Sequence, residues 1–90
     1  MEMDFQFDPG KAAGNWRKHG VSFADAEGVF ADPLALHIPD PDAEGEERFV
    51  AVGESSAGRI LVVIYTLRRN IIRLISARRA TPHEIQTYES

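Results

Sequence analysis

Ninety residues are enough for one domain and not two, so residues 1–90 read as a single unit that is marginally stable alone and would gain from a tight partner. The chain has no cysteine, no apolar run longer than Ile60 to Tyr65, and an acidic opening, MEMDFQFD; this excludes disulfides and thiolate chemistry, and disfavours a membrane span or a secretory leader. The net charge of −4 argues at first against a nucleic-acid partner.

Met3 to Phe7 alternates apolar and polar, which predicts a short strand. Asp8-Pro9 is a helix cap followed by a first-turn proline, predicting a helix from about Pro9 to Lys18 that ends near Gly20. Ser22 with Asp25 three residues on opens a second helix, whose apolar stripe is Phe23, Ala26, Val29 and Phe30. Asp32-Pro33 stops it. Leu34 to Ile38 is a strand candidate, and Pro39 to Glu47 an acidic loop.

Three strands come next, Arg48 to Val52, Arg59 to Thr66 and Ile71 to Arg78, joined by Ser55–Gly58 and Leu67–Asn70 as hairpin connections. Ile60 to Ile64 is apolar on both faces, so its strand should be central and covered on both sides. Thr81-Pro82-His83-Glu84 starts a last short helix reaching about Tyr88. The expected fold is α+β: a strand and two helices, an antiparallel sheet of about four strands with helices on one face, and a C-terminal helix.

Charge is unevenly spread. Residues 1–47 hold eleven acids against Lys11, Arg17 and Lys18, whereas residues 48–90 hold seven arginines against three acids. Six arginines lie between Arg59 and Arg79 with no acid among them. Local potential decides where a phosphate chain binds, so this stretch is a candidate polyanion surface on the sheet face opposite the helices. The plainer reading is a solubilised, edge-protecting sheet surface.

The pieces Phe7-Asp8-Pro9-x-Lys11, Asn15, Lys18-His19-Gly20-Val21-Ser22-Phe23, Val29-Phe30-Ala31-Asp32-Pro33, Gly45-Glu46-x-Arg48-Phe49, Gly53, Gly58-Arg59, Tyr65-Thr66 and Arg73 to Thr81, with Glu84 and Tyr88, occur in order along essentially the whole chain. The pattern resembles the BrnT family of toxins. The resemblance implies a RelE-like ribonuclease fold, metal-independent RNA cleavage that inhibits translation and growth, and neutralisation by a cognate BrnA-like antitoxin, with dimers inside the complex and DNA bound only through the antitoxin. The ribosome is a further possible partner, and the compartment would be the cytoplasm. Phe7 departs from the tryptophan often present in the family, and Arg69 from a turn glycine.

Metal-free RNA cleavage needs a base for the 2′-hydroxyl, cations for the phosphorane and an acid for the leaving oxygen. His19 is an acid–base candidate by side-chain type, or equally a helix C-terminal cation beside Lys18. Lys18 either contacts phosphate or interacts with the helix dipole. Glu46 and Arg48 flank one residue and could share a face as a positioned base, or form an ordinary ion pair; Glu47 points the other way. Arg73 and Arg79 share one strand parity and Arg78 the other, so a regular strand would separate Arg78 from Arg79. Arg48, Arg59 and Arg78 are candidate phosphate clamps, with Arg73 and Arg79 as further RNA contacts. Tyr65 and Tyr88 are candidates for stacking on bases, or for packing with a wet hydroxyl. His37 and His83 read as surface residues. No Asp/His cluster at ligand spacing suggests a metal, and no cofactor is implied. A rival reading keeps the fold but makes the chain a catalytically weak, antitoxin-binding module in an autorepression complex.

Overall fold

The computed structural model describes residues 3–90; Met1 and Glu2, the start of the stretch read for a leader, lie outside them. The order is β1 (Asp4–Gln6), α1 (Pro9–His19), α2 (Phe23–Glu27) running into a 3-10 turn (Gly28–Ala31), β2 (Leu36–Pro39), β3 (Phe49–Glu54), β4 (Ile60–Arg68), β5 (Ile71–Arg79) and α3 (Pro82–Glu89). Local chemistry sets the helix ends. Asp8 accepts from the Gly10 N–H, Ser22 from the Asp25 N–H, and Thr81 and Glu84 form a reciprocal capping box. Gly20 closes α1 in the left-handed conformation, φ 66°.

The sheet has five strands in the order β1-β5-β4-β3-β2. Strands β2 to β5 form the expected antiparallel meander, but β1 joins its edge parallel to β5, pairing Asp4 with Ile71 and Gln6 with Arg73. The sheet is therefore mixed and five-stranded rather than four-stranded and antiparallel. A three-residue strand carries no signal of a partner so distant along the chain.

The inner face carries Ala51, Leu61, Val63, Tyr65, Ile72, Leu74 and Ala77, packed against Val21 before α2, Phe23 and Ala26 of α2 and Val29 of the 3-10 turn. Fully burying each large aliphatic among these stabilises by about 1.5–3 kcal/mol. Strand β4 is central, as its two-sided apolarity implies. Helix α3 lies on the outer face, where Arg78 holds Glu84 through paired 2.8 and 2.9 Å contacts and Tyr88 donates to Asp32. Both faces thus carry helix, which corrects the expectation of one covered face.

A β-bulge interrupts β5. Ile64 pairs with Ser76 and Tyr65 with Leu74, so Ile75 is the extra residue. The bulge inverts side-chain parity between the two halves of β5. Arg73, Ser76 and Arg78 fall on the outer face, and Arg79 moves to the Ala77 side. The regular-strand reading, with Arg73 beside Arg79 and opposite Arg78, is overturned.

Candidate nucleic-acid interface

Most of the late arginines are already neutralised. Arg59 pairs with Asp25 at 3.0 Å, Arg78 with Glu84 at 2.8 Å, Arg68 with Glu46 at 2.7 Å and Arg48 with Asp40 at 3.4 Å. Each is an arginine from the second half meeting an acid remote from it or on the next element. The acid-free arginine run is therefore not a free cationic surface. Among the described residues, Arg69, Arg73 and Arg79 make no ion pair within 4 Å.

Arg59 is a fastener for the β3–β4 hairpin. Asp25 of α2 also accepts the Ala57 N–H at 2.8 Å, so one carboxylate ties the turn down twice. Burial alone would raise that carboxyl, but the Ala57 N–H and Arg59 outweigh it and hold it below its ordinary value. Glu46 does not stand beside Arg48. It forks onto Arg68 at 2.7 and 3.0 Å, which lowers its carboxyl, while Arg48 turns to Asp40. Tyr65 is 5% exposed, stacked on Phe49 and edge-on to Phe30, with its hydroxyl 2.9 Å from His37 Nδ1. Burial raises the Tyr65 hydroxyl and lowers the His37 imidazole. His37 is exposed overall, yet its ring is engaged. Tyr88 hydrogen-bonds Asp32, which pushes its hydroxyl up to about 12.

The remaining candidates come together elsewhere. A groove of about 300 Å³ runs between α1 and β5, bordered by Lys11, Gly14, Asn15, Lys18, His19, Ile75 and Ser76. Spacing puts Lys11, Asn15 and Lys18 on one helix face, and the bulge supplies Ile75 and Ser76. Two lysines, a histidine and a serine line this groove, and no acidic residue is on its border. Lys18 and His19 were singled out in sequence; Lys11 and Ser76 were not, although both sit inside the matching motifs.

Asn15 registers the two walls. Strand β1 pairs only with residues 71–73, so the far edge of β5 lacks a neighbour. The Asn15 side chain substitutes for one. It accepts the Ala77 N–H at 2.9 Å and donates to the Ala77 carbonyl at 2.8 Å and the Val21 carbonyl at 2.9 Å. At 7% exposure the amide uses both N–H donors and accepts one hydrogen bond at its oxygen. The available sequence signal was the place of Asn15 among the ordered motif residues.

No helix of the described residues is long and apolar enough to cross a membrane, and no three of their His, Asp or Glu side chains are grouped to hold a metal.

Comparison with known proteins agrees with this architecture. No curated protein matches the chain. Among solved structures, the chain is similar to the Brucella abortus ribonuclease toxin BrnT, with 29% identity, 89% of this chain and 99% of that chain covered, and a TM-score of 0.70. The profile of the ribonuclease toxin BrnT of type II toxin–antitoxin systems matches residues 7–84. With the sheet order, the fold likeness and this match over most of its length, the chain belongs to the BrnT family of ribonuclease toxins.

Proposed function

We propose that this chain is the endoribonuclease toxin of a type II pair and cleaves RNA without a metal at the α1–β5 groove. The observation that carries this reading is the groove's border: Lys11, Lys18, His19 and Ser76 with no acid among them. His19 takes the proton of the 2′-hydroxyl as its oxygen attacks phosphorus. Lys11 and Lys18 stabilise the charge that builds on the phosphorane oxygens, and Ser76 donates to one of them. The P–O5′ bond breaks, the imidazolium formed on His19 returns its proton to the 5′-oxygen, and a 2′,3′-cyclic phosphate results. Arg73, without an ion pair within 4 Å among the described residues and on the same face as Ser76, extends the phosphate path along β5, while Arg79 lies on the opposite face. Arg78 joins it on releasing Glu84. Glu46, Arg48 and Arg59 support loops, and Tyr65 and Tyr88 hold packing, rather than touching RNA.

Family membership implies a cognate antitoxin. RelE-like inhibition of translation, action on ribosome-associated RNA, toxin dimers inside the antitoxin complex and DNA contact through the antitoxin belong to the same proposal. The test is incubation of antitoxin-free protein with RNA in EDTA. His19→Ala and Lys18→Ala should each lower the cleavage rate by about 10²–10³-fold. Intact RNA with folded wild-type protein would reject the reading.

One observation favours a second reading: Arg48, Arg59, Arg68 and Arg78 are all paired with acids. A chain with little free cationic surface would serve as an antitoxin-binding module in autorepression. Growth arrest on expression, relieved by His19→Ala, would count against that.

A further inference from the structure

The outer sheet face carries two cross-strand rows of apolar side chains. One is Leu36, Val52 and Val62; the other is Ile38, Val50 and Ile64. Ile38 is 56% exposed and Leu36 is 42% exposed, while Val50, Val52 and Ile64 are half-buried. Val62 is buried, and α3, none of whose side chains is itself buried, packs against β3 on this face and leaves the β2 side of the rows open. On β5 the same rows end in Arg78 and Ser76, with Arg73 beside them on the same face. An apolar plateau of three strands, about 10 Å wide, thus borders a strand edge whose Arg73 makes no ion pair within 4 Å among the described residues.

We propose that this plateau is the docking surface for an amphipathic helix of the cognate antitoxin, with its apolar stripe on the two rows and flanking carboxylates toward Arg73. The identity of the occupant rests on the toxin–antitoxin reading above. Charge complementarity selects the carboxylates, since a segment seated on the rows meets Arg73 at the β5 border, where Arg78 is already held by Glu84 and Glu46 lies within electrostatic reach of Arg73. A helix fits better than an added strand: β2 has four residues and ends in Pro39, which lacks the N–H that strand addition uses. A helix about 10 Å across matches the width of the plateau. Its carboxylates on Arg73 would compete with phosphate on the same strand that borders the groove, so docking and neutralisation share β5.

The experiment titrates purified, antitoxin-free chain with the antitoxin encoded by the neighbouring reading frame. Ile38→Asp, at an exposed edge position, should raise Kd about 30-fold or more and leave RNA cleavage by the free chain unchanged. Arg73→Glu should weaken binding about tenfold, with the loss shrinking at high salt. Amide NMR of the wild-type chain gives a second readout that no misfolded variant can confuse: antitoxin should shift Leu36, Ile38, Val50, Ile64 and Ser76. Wild-type affinity of a folded Ile38→Asp, or shifts confined to α1 and α2, would overturn the proposal. So would a wild-type homodimer that Ile38→Asp converts to monomer, because a second copy would then own the face. Absence of wild-type cleavage in the same preparations would reject the ribonuclease reading while the binding arm still judged the docking surface.

Discussion

A single amide, Asn15, decides whether the α1–β5 groove exists. Its three hydrogen bonds join α1, the Gly20–Val21 turn and the far edge of β5. Asn15→Asp keeps the acceptor for the Ala77 N–H but turns a carboxylate toward two carbonyls that have lost their donor. Leaving such groups unsatisfied and buried costs about 2–4 kcal/mol, a large part of the stability of so small a domain. Chemical denaturation should show that loss at neutral pH. The gap from wild type should narrow toward pH 4, where a protonated Asp regains one donor. The Arg78 fork lowers the Glu84 carboxyl from 4.5 to about 2. A depressed carboxylate contributes stability above its unfolded value and loses it as pH falls through the folded one. Unfolding of wild type should therefore become more acid-sensitive between pH 4.5 and 2, and Glu84→Gln should flatten that limb. An unchanged limb would mean that the fork contributes nothing to folding.

Among the elements, the β4–β5 hairpin is the least matched to its sequence. Arg69 and Asn70 both adopt positive φ, 51° and 69°, the two-residue turn that suits the twist of flanking strands. Asn tolerates this region and arginine does not, at about 1–2 kcal/mol for an L side chain. Arg69→Gly relieves that strain and gives back part through greater freedom of the unfolded chain. A net gain of about 0.5–1 kcal/mol is expected, read as a higher thermal midpoint; a fall would show that Arg69 makes a compensating contact. The bulge at Ile75 matters more for function. It turns Arg78 to the outer face, against Glu84, and brings Ser76 to the groove. Helix α3 is held by polar contacts at both ends, Arg78 to Glu84 and Tyr88 to Asp32, with no buried side chain between. Its amides should exchange hydrogen faster than those of β4.

At the scale of the whole molecule, the acidic and basic halves of the chain meet rather than stand apart. Acids from the first half, Asp25, Asp40 and Glu46, answer Arg59 just before β4, Arg48 just before β3 and Arg68 at the end of β4. Folding pairs four of the eight arginines with acids and leaves the positive groups of the groove to α1. A partner that binds only the folded state adds stability by mass action; the antitoxin should raise the thermal midpoint in proportion to the logarithm of its concentration, and a concentration-independent midpoint would contradict the proposed pairing.

Local chemistry along the chain specified the elements and the starts of the helices, because caps, prolines and apolar periods act within a few residues: Asp8-Pro9, Ser22 with Asp25, Thr81 with Glu84, and the two-sided β4; strand ends and the 3-10 continuation of α2 it left open. The sequence also carried the family through ordered motifs, and it pointed to Lys18 and His19. Tertiary structure alone decided which charges remained free, since Arg59 finds Asp25 and Arg68 finds Glu46 only when distant segments meet. It also decided the parallel docking of β1, the parity switch at Ile75 and the role of Asn15. Each depends on long-range backbone pairing, which no local pattern of side chains encodes.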